Sequence, residues 1–372
     1  MKIYLTFGIL ILCALLVTNV PNLTAEENWT RKADMPTQRS SFDTCVVNGK
    51  IYAIGGAIDG FGDLSVSTVE MYDPKIDTWE RKADMPTPRS GVSTSVVNGK
   101  IYAIGGLELK RFEIDVILND EPRKVKRLEL KELPTVEMYD PITDTWTQKA
   151  DMPTPRITRT CVVDGKIYAS GGRAPNNIKK KKPWRLDTVE VYNPTTNTWT
   201  KAKKMNHARS GTAISVVDGK IYVMGGTGWP QIPFHPGPFL SSMEVYNRKT
   251  NQWREIGDMP AAKSSHTASV IDGNIYVIGG FFRGNGLDVK YFKTIDIYHP
   301  ETGRWTQKPD MPVSKLGHTT EVINGKIYIF TGADPDEVPV ATVEIYAPEG
   351  FPQSVDPTGK LLKTWGTLKN IQ

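Results

Sequence analysis

At 372 residues the chain has room for two domains, and its formal charge of +5 is too small to imply nucleic acid as a partner. Its three cysteines exclude a disulfide framework, since Cys13 lies in the amino-terminal apolar segment and Cys45 and Cys161 are left as buried small hydrophobes. No later stretch is apolar enough to cross a membrane, and no glycine-rich turn opens a helix to cradle a phosphate.

The amino end comes first. Lys2 precedes an apolar run from Ile3 to Val17, and Ala25 precedes Glu26-Glu27. That order reads as a secretory signal peptide over residues 1–25, so the mature protein is expected to be secreted or periplasmic.

The segment Asn28-Trp29-Thr30-Arg31-Lys32-Ala33-Asp34-Met35-Pro36 then returns fifty residues later as Thr78-Trp79-Glu80-Arg81-Lys82-Ala83-Asp84-Met85-Pro86. A period near fifty marks a repeat architecture. Each unit opens on a basic residue: Arg39, Arg89, Arg156, Arg209, Lys263 and Lys315. A β-branched run follows, then an Asn-Gly or Asp-Gly turn such as Asn98-Gly99 or Asp164-Gly165, which predicts a tight hairpin. A glycine pair ends the second strand at Gly55-Gly56, Gly105-Gly106, Gly171-Gly172, Gly225-Gly226 and Gly279-Gly280, and Thr331-Gly332 is its degenerate sixth copy. The third strand carries a tyrosine, at Tyr72, Tyr139, Tyr192, Tyr246, Tyr298 and Tyr346, and stops at a turn such as Asp73-Pro74. The fourth carries a tryptophan, at Trp79, Trp146, Trp199, Trp253 and Trp305, and Trp29 stands ahead of the first unit.

Four antiparallel strands per unit, repeated radially, predict an all-β propeller of six blades over residues 26–347, with a carboxy-terminal extension at 348–372. The unmatched strand at Trp29 is expected to complete the sixth blade and close the ring, with Leu361-Leu362-Lys363-Thr364-Trp365 as the rival. These markers together resemble the kelch repeat. The departures are Arg156, one residue nearer its turn than the other openers, and lysine in units five and six.

The openers and the loops after each glycine pair are expected at one mouth of the ring, where loops on a rigid scaffold carry recognition. The insertion at 107–134 is rich in both charges, Lys179 to Lys182 form a basic run before Trp184 and Arg185, and Trp229, Phe234, Phe239, Phe281 and Phe282 add aromatic surface. The resemblance nominates Arg39, Arg89, Arg156 and Arg209 for acidic ligands, with Lys263, Lys315, Trp184, Trp229 and Phe282 beside them. The alternative pairs each opener with an acid of the third strand: Glu70, Glu137, Glu190, Glu244, Asp296 or Glu344. His266, His318 and Glu321 are the candidates for proton transfer, and neither metal nor cofactor is expected. The leading reading is an exported scaffold for a protein or carbohydrate, with an anionic group as the preferred target. A kelch-type N-acetylneuraminate epimerase supplies the alternative, a sugar mutarotase.

Overall fold

The structure, a computed structural model, describes residues 28–58, 64–118, 121–175, 184–228, 237–284, 288–315, 317–333 and 340–348. Among them lie six antiparallel four-stranded sheets. Blade one runs Asp43–Val47, Lys50–Ile54, Val69–Asp73, Thr78–Lys82, and blade two runs Ser93–Val97, Lys100–Ile104, Val136–Asp140, Thr145–Lys149. Blade three runs Ile157–Val163, Lys166–Arg173, Val189–Asn193, Thr198–Lys201, and blade four Ala213–Val217, Lys220–Met224, Ser242–Asn247, Gln252–Asp258. Blade five runs Thr267–Ile271, Asn274–Ile278, Ile295–His299, Arg304–Lys308. The sixth takes Thr319–Ile323, Lys326–Phe330 and Val343–Tyr346 from the end of the repeat and Trp29–Lys32 from its start.

That last pairing closes the ring as expected, in the register Trp29↔Tyr346 to Lys32↔Val343. Trp29 is fully buried and lies 5.1 Å from the Tyr346 ring. The predicted signal peptide and the rival tail strand fall outside the described residues, as do Lys179 to Lys182, Trp229 and Phe234.

Neighbouring blades share their cores. Cys45, Tyr52 and Val69 of blade one pack with Ile101 and Tyr139 of blade two, and Tyr72 of blade one meets Tyr328 and Phe330 of blade six. A sheet buried on both faces explains why the second strand is a continuous apolar run, Ile51 to Ile54, rather than an alternating one. The glycine pairs make this approach possible. Gly55 and Gly56 both take positive φ, and a Cβ on Gly55 would lie 2.6 Å from the carbonyl oxygen of Arg89 in the next blade. The Gly56 amide donates to that same carbonyl at 2.9 Å. Among the described residues Cys45 and Cys161 are both free, and burial pushes the Cys161 thiol up.

The insertion of blade two departs from its reading as a charged loop. It forms a long hairpin, Leu107–Leu118 paired with Glu121–Glu132 in the register Leu109↔Leu130 and Arg111↔Leu128. Alternation of Leu107 with Leu109 and of Leu128 with Leu130 is the period-two signal of strands. Dense charge between those leucines masked it. A shorter hairpin, Phe281–Arg283 with Val289–Tyr291, follows the glycine pair of blade five.

Candidate functional site

The six openers lie inside the blades rather than on the surface of the mouth. Arg39, Arg89, Arg156, Arg209 and Lys263 are fully buried and Lys315 nearly so. Each is paired with the third-strand acid of its own blade: Arg39–Glu70 at 3.0 Å, Arg89–Glu137 at 2.6 Å, Arg156–Glu190 at 2.9 Å, Arg209–Glu244 at 2.8 Å, Lys263–Asp296 at 2.8 Å and Lys315–Glu344 at 2.9 Å. The guanidinium forks also hold backbone, as when Arg89 donates to the carbonyls of Gly105 and Thr135. Lysine has no such fork, and the two lysine blades supply hydroxyls instead: Thr294 for Lys263, Thr331 and Thr342 for Lys315. The degenerate Thr331 is thereby accounted for. Burial pulls the Arg39 and Arg156 pKa values down to about 10, offset by Glu70 and Glu190, and both remain cations at neutral pH.

Openers that are spent on structure leave the mouth to other side chains. A cavity of about 620 Å³ lies there, lined by Phe42, Leu109, Leu128, Leu130, Ile157, Arg159, Arg173, Trp184 and Arg185 among others. The blade-two hairpin supplies its apolar wall, with Leu128 and Leu130 40% and 56% exposed. Trp184 lines this cavity, with the Arg185 guanidinium 4.7 Å from its ring centroid. Arg185 is held by Ser210 and Thr227, and burial lowers its pKa to about 10. Phe282 lies apart from the cavity and packs 5.2 Å from Phe239.

Beneath the mouth, the first strands line a channel of about 170 Å³ that contains Asp43, Thr44, Thr94, Arg159, Thr160, His266, Thr319 and Glu321. Arg159 is there because blade three is one residue short. Ser41, Gly91, Gly211, Ser265 and Gly317 take positive φ two residues after their openers. Blade three lacks that residue, and its first strand instead carries an irregularity between Ile157 and Arg159. The Arg159 guanidinium comes 3.6 Å from Asp43. Asp43 also accepts from the Thr94 amide at 2.7 Å and the Thr94 hydroxyl at 3.1 Å. Burial raises the Asp43 carboxyl, while Arg159 and Thr94 hold it down. Glu321, which accepts from Thr44 at 2.9 Å, is pushed up to about 8 by burial and by Asp43, against the Thr44 hydrogen bond. It is therefore a neutral acid at pH 7.

The three proton-transfer candidates separate. Glu321 faces the channel, but the histidines serve the seams. His318 lies against Gly279 of the preceding blade, with its Nε2 3.1 Å from the Ile278 carbonyl, and burial lowers its pKa to about 4. His266 borders the channel, yet its ring packs against Gly225 in the same way and burial holds it well below the ordinary value. No cluster of metal-ligating side chains occurs among the described residues. Sequence reasoning missed Asp43, Arg159, Arg173 and the hairpin leucines. The short spacing after Arg156 was the available sign of Arg159.

The KLHDC2/KLHL20/DRC7 Kelch-repeats domain family matches residues 12–226, more than half of the chain, and the Kelch motif matches 208–260 and 262–312. Kelch-like protein terF of Aspergillus terreus is 29% identical over 211 residues, 55% of this chain and 45% of that protein. Kelch-like protein 36 of Rattus norvegicus is 25% identical over 303 residues, 79% of this chain and 44% of that protein. This chain thus spans less than half the length of these relatives. In three dimensions the solved structure of YjhT superimposes with a TM-score of 0.67 at 16% identity, covering 86% of this chain and 98% of that one. The repeat markers, the six closed blades and these matches agree: the chain belongs to the kelch-repeat family.

Proposed function

We propose that this kelch propeller is an exported binding scaffold that takes a segment of a partner protein into its mouth, apolar side chains against the hairpin leucines and an acidic group toward Arg159 and Arg173. Kelch propellers generally bind proteins. The observation that carries the reading is the mixed lining of the mouth. Leu128, Leu130 and Trp184 offer apolar area, and two part-exposed arginines, each more than 3.5 Å from its nearest acid, offer forks for a carboxylate. Lys2, the apolar run and Ala25 support export. Peptide display on the purified protein tests the proposal. Enriched peptides should combine acidic and large apolar residues and bind at least tenfold more weakly to Arg159→Ala and to Leu130→Asp. No enrichment, or binding indifferent to both substitutions, would sink it.

A second reading, a sugar mutarotase, rests on the protonated Glu321 beside Asp43 in the channel. Opening a hemiacetal ring needs a proton given to the ring oxygen and another taken from the anomeric hydroxyl. Glu321 would give and Asp43 would take. The channel lies below the roughly 300 Å³ at which ligand pockets usually begin, so binding stands first. Proton NMR of sialic acid and neutral sugars decides: faster anomer exchange that disappears in Glu321→Gln supports the enzyme, and unchanged exchange rules it out.

A further inference from the structure

The face opposite the mouth carries the turns between first and second strands and between third and fourth strands. At each of four blades there, one side chain ties the third strand to its turn and to the blade before. It stands five residues after the tyrosine. Tyr72 donates to Asp77 at 2.6 Å, Tyr139 to Asp144 at 2.5 Å, Tyr192 to Asn197 at 2.6 Å and Tyr246 to Asn251 at 2.8 Å. The same oxygens accept the backbone amides of Ala33, Ala83, Ala150 and Lys203 from the neighbouring blade. In blade five the fifth residue after Tyr298 is Gly303, with no side chain to give.

The seam between blades four and five is open at that point. A cavity of about 320 Å³ lies there, walled by Tyr222, Val245, Ile256, Tyr298 and Pro300, with Lys220 and Arg254 at its edge. The Tyr298 ring is buried, 4% exposed as a residue, while its hydroxyl reaches the cavity and makes no side-chain hydrogen bond among the described residues. Its ring lies 6.3 Å from that of Tyr222. Among the described residues Lys220 has no acid partner, for a readable reason. Lys50 and Lys100 pair with Asp73 and Asp140, the residues opposite them on the third strand, but Lys220 is opposite Asn247. Arg254 is exposed and makes no ion pair among the described residues. A hydroxyl free to donate into the cavity, two cations without an acid partner among the described residues, and a lining in which Tyr222, Val245, Ile256, Tyr298 and Pro300 stand beside Asn247, Thr250 and Gln252 describe a receptor for an anion with a flat body.

We propose that this seam is a second ligand site, separate from the mouth, for a small carboxylate carried on an aromatic or other flat apolar group. The carboxylate meets Arg254, Lys220 and the Tyr298 hydroxyl, and the flat group slides between Tyr222, Ile256 and Pro300. Gly303 keeps the site open. It has φ +69°, close to the values of 51° to 56° at Asp77, Asp144, Asn197 and Asn251, and a Cβ there would meet nothing within 4 Å. Asparagine therefore fits at 303 and should take the Tyr298 hydroxyl for itself.

The probe is 2-naphthoate, with neutral 2-naphthamide as the control, followed by calorimetry and saturation-transfer NMR on the full chain. Saturable 2-naphthoate binding is expected, at least tenfold weaker in Arg254→Gln and lost in Gly303→Asn, while 2-naphthamide binds at least tenfold more weakly than the anion. Melting temperatures confirm that both variants fold, and Leu130→Asp, at the mouth, leaves the affinity unchanged. No saturable binding at millimolar naphthoate would overturn the proposal. So would equal affinity for the amide, undiminished binding to Arg254→Gln, or loss of binding in Leu130→Asp.

Discussion

Arg89 offers the sharpest test of what the openers do. In Arg89→Met the Glu137 carboxylate loses its 2.6 Å partner and keeps only the Thr87 hydroxyl, and the carbonyls of Gly105 and Thr135 lose a shared donor. Breaking one side of a buried pair costs about 3–5 kcal/mol, because the stranded charge is the larger part of the loss. At roughly 2–4 °C per kcal/mol for a large domain, thermal unfolding should fall by on the order of 10 °C. The double variant Arg89→Met, Glu137→Leu removes both charges and should recover most of that loss, since a well-packed apolar replacement of a buried pair is often neutral. Calorimetric melting of the wild type, the single variant and the double variant at neutral pH is the assay. A single variant that melts with the wild type, or a double variant no better than the single, would refute the structural role and return the openers to ligand binding.

Ring closure predicts that Trp29→Ala costs about 3–5 kcal/mol and that deleting residues 26–37 lowers the unfolding temperature further, both read by circular dichroism; unchanged melting of the deletion would transfer closure to another segment. Glu321 holds its proton in the fold until its pKa of about 8 and is ionised when unfolded above its ordinary value near 4.5, so it contributes a loss of stability as pH climbs from 4.5 to 8. Glu321→Gln should therefore melt higher than wild type at pH 8 and no higher at pH 4.5. Equal melting differences at the two pH values would show that Glu321 is ionised in the folded channel.

Much of this architecture was legible because each repeat marker has a local physical cause. Asn98-Gly99 specifies its hairpin whatever surrounds it, the glycine pairs are forced by a neighbouring backbone, and Trp29 could find only one third strand without a fourth. The openers were legible as two alternatives and no further. An arginine near a mouth and an arginine one side-chain length inside it have the same sequence, and only the depth of Glu70 and its equivalents decides between them. The hairpin at 107–132 was hidden for another reason. Two strands that stand away from the core need no continuous apolar face, so charge outweighed the alternation that would have announced them.

Repetition itself explains where a site can lie. A position occupied alike in every blade is presented in equivalent settings around the axis, and such a position serves what every blade needs: the opener–acid pair, the tyrosine–tryptophan seam, the glycine turn. A ligand without that symmetry has to be gripped by residues that break it. Three such breaks are the residue missing from blade three, which sends Arg159 into the channel, the hairpin inserted in blade two, and the glycine at 303. The first two meet at the mouth, where Arg159, Leu128 and Leu130 line one cavity, and the third opens a seam on the far face. In a repeat protein a departure that neither weakens the core nor fills it has no structural reason to persist, and these three each leave a polar or apolar group facing open space. That is the physical ground for seeking recognition at Arg159 and Tyr298 rather than at the six basic residues that the repeat displays most plainly.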